Sequence, residues 1–304
     1  MEGGKTVLWA FLVLILIAVL AIYWFVPFGT IEFNTGTVNS NFSLNNLGEN
    51  NSQFYPNMRF PSTDISYRIE NCPLQRQYDM KSAFDILSSL TILSFYPVEY
   101  GEEIIIVCQD TNEFEGNLFI AGEGGPTNIT VAGDFNIIYK GKILLIKDSD
   151  CERPNIAIHE LLHVLGFDHS ENPNNIMYEI SDCKQTIGED TLDFINKIYS
   201  IPAKPDLLFE DIDAVMHGKY LDLNFSIRNN GLIYSGESTV IVYADGKKVK
   251  ELDFEALDAG YGRRIFLTNV LINQINVDII EVNVENDFSE LDKSNNIVSL
   301  EIKK

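Results

Sequence analysis

Histidine is scarce in this chain, four residues in 304. Cysteine is equally sparse, and Cys72, Cys108, Cys151 and Cys183 include no CxxC pair, which argues against a structural zinc knuckle. Cations are few: Lys and Arg total 22 against 44 Asp and Glu, a formal net charge of -22. A surface of that sign repels phosphate backbones, which removes nucleic acid from the partners to consider. No internal repeat is present, so a solenoid is excluded. What remains is ordinary for a folded protein: 45% hydrophobic and 22% charged residues, enough to bury one or two cores.

Long apolar runs are also rare, with one conspicuous case. Residues 7–26 (VLWAFLVLILIAVLAIYWFV) contain neither a charge nor a helix breaker. A helix of that length reaches about 30 Å, the thickness of a bilayer core. Trp9, Tyr23 and Trp24 lie near its two ends, where aromatic rings favour the interface. Signal peptides have shorter apolar cores that end at a small-residue cleavage site, so an uncleaved anchor is the better expectation. Lys5 precedes the run and no Lys or Arg follows until Arg59, which puts residues 1–6 in the cytoplasm. The expected arrangement is a single-pass cell-membrane protein with transmembrane anchor 7–28 and its remaining domains extracellular.

Residues 29–58 are rich in Asn, Ser, Thr and Gly and read as a flexible tether. From residue 59 the texture changes. Residues 65–69 alternate as a strand, 78–95 carry apolar side chains at helical spacing, and 103–109 form a β-branched run expected as a central strand. Residues 128–139 and 142–147 suggest two further strands joined at Gly141. Strand, helix, strands and a long helix predict an α+β domain over 59–202, a mixed sheet with helices packed on it. After Pro202 and Pro205 the chain turns all-β. Residues 220–228 alternate, and Asn230-Gly231 and Asp245-Gly246 are turn signals. An immunoglobulin-like β-sandwich is expected over 203–304. Four external cysteines suit two disulfides in one of three pairings; Cys72–Cys108 with Cys151–Cys183 closes the two shorter loops and is the favoured one.

The chemistry is concentrated in residues 155–178 (NIAIHELLHVLGFDHSENPNNIMY). His159 and His163 are four apart, hence one turn apart on one helix face. That spacing lets two imidazoles reach a single Zn²⁺. Pro154 suits the first helical turn. Gly166 is the natural residue for the corner after the helix, because it reaches positive φ without a Cβ penalty. The turned chain can then return His169 as a third ligand. Three neutral imidazoles leave one tetrahedral position for water, and Glu160 beside the first ligand is placed to act as general base. His217, the fourth histidine, lies far along the chain and reads as a surface residue.

HExxHxxGxxH followed by a methionine is a far more specific pattern than HExxH alone. The segment from His159 to His169 resembles the metzincin metallopeptidases, and Ser170 with the Ile176-Met177-Tyr178 turn is similar to matrixins in particular. The resemblance implies a metzincin-type mixed sheet over roughly residues 60–200, one catalytic Zn²⁺, a polypeptide substrate laid along the edge strand within 128–139, and Met177 as an apolar floor beneath the metal. Gly166 and Met177 support the site without binding the ion, and Tyr178 is not a ligand. The pattern departs from the family in lacking a cysteine-switch motif and a histidine for a structural zinc. Asp134, Asp148 and Asp150 are the candidates for structural Ca²⁺. Residues 203–304 resemble the cell-adhesion-related immunoglobulin-like domains of bacterial and archaeal surface proteins, carried by Asn229-Asn230-Gly231, Asp245-Gly246 and residues 290–296 (ELDKSNN). Together these imply a zinc metalloendopeptidase acting on extracellular or cell-envelope proteins. The alternatives are a surface adhesion protein with an idle peptidase domain and a zinc amidase acting on envelope material.

Overall fold

A computed structural model describes residues 3–25, 29–35, 41–42, 44, 52–110, 114–115, 118–119, 121–148, 151–274 and 277–303. The apolar run becomes helix α1 (Gly3–Phe25), whose side chains over residues 7–22 are almost all exposed. Those residues cover about 24 Å of helix, less than the roughly 30 Å of a bilayer core. Among the described residues no helix is long and apolar enough to cross a membrane, so the transmembrane helix expected at 7–28 is not found there.

The tether is not free. Strand β1 (Thr30–Glu32) pairs antiparallel with β10 (Leu207–His217) of the C-terminal region, and Phe33 is buried in that region's core. Leu44 is buried in a separate cluster with Ala132, Phe135, Ile137, Leu232 and Ala259. A polar segment carrying spaced Ile, Phe and Leu side chains gains by burying them, and here each finds a docking point.

The central sheet is built from β2 (Met58–Arg59), β3 (Asp64–Glu70), β4 (Ser94–Pro97), β5 (Ile104–Cys108), β8 (Gly122–Ala132) and β9 (Phe135–Leu145), with a separate short hairpin of β6 (Phe114–Glu115) and β7 (Leu118–Phe119). Across the sheet the order is β8-β9-β5-β3-β4. β5 lies in the middle as expected, and β2 pairs with the start of β9. All pairings are parallel except β8 with β9. Helices α2 (Leu74–Leu90), α3 (Asn155–Val164) and α4 (Glu189–Tyr199) bury Phe84, Leu161 and Ile195 in one core with Ile65, Ile106 and Ile143 from the sheet.

Two boundaries differ from the sequence expectation. α2 stops at Leu90 and not at Phe95, because residues 94–97 are taken up as β4 alongside β3. The strand break lies at Gly133, whose φ is +54°, and not at Gly141. Gly141 continues β9 because a Cβ there would sit 2.4 Å from Val164 Cγ1; its lack of a side chain admits α3, and no turn is made. Disulfides join Cys72 to Cys108 and Cys151 to Cys183, the second bracketing α3 and the segment that follows it.

The C-terminal region is a two-sheet sandwich. One sheet has the order β1-β10-β11-β14, with β11 (Tyr220–Asn229) and β14 (Gly262–Leu271). The other has β13-β12-β15-β16, from β12 (Ser238–Ala244), β13 (Lys247–Phe254), β15 (Ile279–Glu285) and β16 (Ile297–Glu301). The alternation in β11 buries Leu221, Leu223, Phe225 and Ile227 against Val240, Val242 and Val282 of the facing sheet. The tip of the β8–β9 hairpin rests on this sandwich. A Cβ on Gly260, whose φ is +79°, would come within 2.4 Å of the Val131 carbonyl oxygen.

Candidate metal centre

Apart from its two histidines and Glu160, α3 is almost wholly apolar, and every residue except Ile156 is buried. Pro154 stands at the N-cap, one position earlier than expected, and its carbonyl accepts from Ile158 N–H at 3.0 Å to close the first turn. At the other end Gly166 has φ +95°. Its N–H donates to the His163 carbonyl at 2.9 Å, and Phe167 N–H donates to the Leu162 carbonyl at 3.0 Å, the paired bonds of a Schellman motif. A side chain at Gly166 would also strike Met58, whose Cβ lies 2.6 Å from the position a Cβ would take. Glycine is therefore required twice, by backbone conformation and by space.

The turn brings the three histidines together. His163 Nε2 is 2.9 Å from His159 Nε2 and 3.2 Å from His169 Nε2. His159 and His163 are buried and His169 is exposed, so the cluster opens on one side. His159 Nδ1 lies 2.6 Å from the Ile176 carbonyl and His163 Nδ1 lies 2.7 Å from the Phe167 carbonyl. A carbonyl can only accept, so both Nδ1 atoms carry the proton and both Nε2 atoms present bare lone pairs. Burial lowers the pKa of both rings, that of His163 to about 4 with help from His159, so neither readily relieves the contact by protonation. Lone pairs packed this closely repel each other unless a cation sits among them. The donor set therefore fits Zn²⁺, and the carbonyls that fix the tautomers are the outer partners such a site uses. Among the described residues this is the one group of His, Cys, Asp or Glu side chains placed to hold an ion.

Met177 is buried in the same core as α3. It belongs to the turn in which Ile176 orients His159, and its carbonyl accepts from Ser170 N–H at 2.8 Å. Glu160 is 5% exposed and faces strand β8. A Cβ on Gly122 would stand 2.9 Å from Glu160 Oε1, and one on Gly124 would stand 2.3 Å from the Glu160 carbonyl oxygen. Burial raises the Glu160 pKa to about 8, Glu123 adds to the rise, and the Gly124 N–H opposes it.

Several functional neighbours escape the sequence reading. Gly122 and Gly124 do so although glycines inside a strand signal close approach. Phe54 stacks on His163 with ring centroids 5.6 Å apart, and its N–H donates to the Gly166 carbonyl at 2.9 Å. Asp168 N–H donates to the Ser52 carbonyl at 2.8 Å, so residues 52–54 brace the metal-binding turn. Nothing local to a polar tether announces that role.

The calcium candidates do not converge. Asp134 accepts from Leu44 N–H at 3.2 Å, Asp148 pairs with Arg76 at 2.9 Å, and Asp150 lies outside the described residues. His217 is exposed on β10, 3.7 Å from Asp222, and takes no part in the cluster.

Comparison with known proteins agrees with this geometry. Residues 59–200 match the family described as Matrixin, and residues 204–300 match CARDB. The chain is 29% identical over 133 residues to macrophage metalloelastase of Oryctolagus cuniculus, covering 38% of this chain and 27% of that protein. It is 27% identical over 163 residues to the Rattus norvegicus metalloelastase, covering 46% and 33%. It is 29% identical over 166 residues to interstitial collagenase of Sus scrofa, covering 49% and 34%. The matched region thus spans about a third or less of these relatives' length. With the histidine cluster lying inside the matched segment, the chain carries a matrixin domain followed by a CARDB domain.

Proposed function

We propose that the chain is a zinc-dependent metalloendopeptidase that hydrolyses peptide bonds of extracellular or cell-envelope proteins. The observation that carries this reading is the meeting of three imidazole nitrogens beside a carboxylate on the same helix. His159, His163 and His169 hold the ion, Gly166 makes the turn that delivers the third ligand, and Met177 supports them from the core. When bound, Zn²⁺ polarises a scissile carbonyl and lowers the pKa of a water molecule. Glu160 takes the proton from that water and returns it to the leaving amine. Its raised pKa favours holding a proton, and a nearby cation opposes the rise, which brings the group toward a working range near neutrality.

An extended substrate lies antiparallel or parallel along β8, whose outer edge has no pairing strand among the described residues. The functional division is anchor 7–28, connecting segment 29–58, catalytic domain 59–202 and sandwich 203–304. The charge-free run at 7–26, with Lys5 before it, supports a single-pass membrane anchor with both domains outside. Retention of the chain in membranes washed at alkaline pH tests that placement; release into the wash refutes it. The rival reading, a surface adhesion protein with an idle peptidase domain, leaves the buried Glu160 beside an intact ligand set without a purpose.

The decisive experiment uses the full chain in detergent. Purified protein should contain zinc by elemental analysis and cleave casein until a chelator is added. Glu160→Ala should keep the zinc and lose up to about four orders of magnitude in rate. Cleavage that survives both the chelator and the substitution removes the reading.

A further inference from the structure

The outer face of the β13-β12-β15-β16 sheet carries a cleft of about 1200 Å³ that the peptidase site does not use. Its lining holds six carboxylates, Glu237, Glu251, Asp253, Glu255, Glu285 and Asp287, against a single lysine, Lys293. Register explains their placing. Asp253 and Glu285 flank Thr239 on either side, and Glu251 and Asn283 flank Ile241 one step along. Two strand spacings separate Asp253 from Glu285, about 9.6 Å between their backbones, with only a threonine between them. Like charges set facing across a small residue repel, and a cation between them relieves the repulsion.

Some of these charges are already engaged: Glu255 pairs with Arg263 and Glu251 with Lys248. Glu237, Asp253, Glu285 and Asp287 have no salt bridge among the described residues. A second observation is independent of charge. Two other lining side chains, Asn296 at 5% exposure and Ser238 at 7%, leave Asn296 Oδ1 and Ser238 Oγ buried without a hydrogen-bond partner, and Asn283 Oδ1 shares that state. Buried polar atoms normally find partners, so unmet acceptors here await a donor. The cleft is rich in acceptors and poor in donors, and it exceeds the volume that one small molecule usually fills.

We infer that this cleft binds a Lys- or Arg-bearing polypeptide segment, the ammonium or guanidinium lying between Asp253 and Glu285 while N–H groups meet Asn296 and Ser238. Resting on the peptidase reading, it makes the CARDB domain an exosite that favours basic protein substrates.

The test reads binding, not cleavage. Full chain carrying Glu160→Gln is titrated with a short fluorescein-labelled Lys-Gly repeat peptide, with a Glu-Gly repeat as control, and followed by anisotropy. The basic peptide should bind at least about tenfold more tightly than the acidic one and weaken as salt rises. The double substitution Asp253→Lys with Glu285→Lys should remove about tenfold or more of that affinity without changing the melting temperature. Should the double variant unfold, Glu237→Lys at the exposed rim serves instead, with a loss of a few-fold. Absence of binding, binding indifferent to these substitutions, or Ca²⁺ bound at the cleft in place of the peptide each overturns the inference. A chain that cleaves casein yet binds no basic peptide sinks the exosite and leaves the peptidase standing; one that binds the peptide but never cleaves does the reverse.

Discussion

The ring of Phe54 lies against that of His163, centroids 5.6 Å apart and planes 23° from parallel. The same phenylalanine ties its N–H to the Gly166 carbonyl, so one residue touches both a ligand and the turn that delivers the next. Phe54→Ala should therefore weaken zinc affinity by about tenfold, the lower end of what outer partners of a metal contribute. Competition with a chromophoric chelator measures it. Unchanged affinity would show that the backbone bond alone braces the turn.

Strand β8 approaches Glu160 so closely that only glycine fits at Gly122. Gly122→Ala should displace the carboxylate and lower kcat roughly tenfold to a hundredfold, as small misplacements of reacting groups do. Zinc content should stay at one ion per chain, because the histidines are not touched. Loss of zinc together with activity would place the damage in the fold.

The hairpin that flanks Glu160 reaches the C-terminal sandwich at its tip, where Gly260 meets Val131. Gly260→Val introduces a branched side chain at φ +79° and pushes the hairpin away. The expected cost is about 1–3 kcal/mol of stability, with a rise in KM for extended substrates. Thermal melts and steady-state kinetics on one preparation separate the two effects.

Asp206 is buried, and that burial raises its pKa to about 6, opposed by bonds from Asn295 and the Asp292 N–H. An acid whose folded pKa exceeds its unfolded value near 3.8 binds more protons when folded. Between about pH 4 and 6 the folded state is therefore stabilised at the acid end and loses that stability as pH rises. The loss should be on the order of 1–3 kcal/mol by pH 7. Asp206→Asn keeps the accepting oxygen and should flatten this decline; urea titrations at pH 4 and 7 read it. A variant with the wild-type slope would assign the dependence to another group.

Local patterns were legible in the sequence because short-range geometry dictates them. The i,i+4 pair His159 and His163, the positive-φ Gly166 and the returning His169 are consequences of helix pitch and one corner, and they bring the ligand nitrogens together as expected. The alternation in residues 220–228 likewise specifies one buried face, because side chains on a strand point to opposite sides by turns. Non-local contacts were a different matter. The residues read as a tether add a strand to the sandwich and a brace to His163, and Gly141 admits Val164 where a turn was expected. Each of these depends on which distant surface meets the segment, and burial decides that only when the whole chain has packed. The ligand set was thus written in eleven consecutive residues, while the wall around Glu160 and the support behind His163 came from tertiary contact alone.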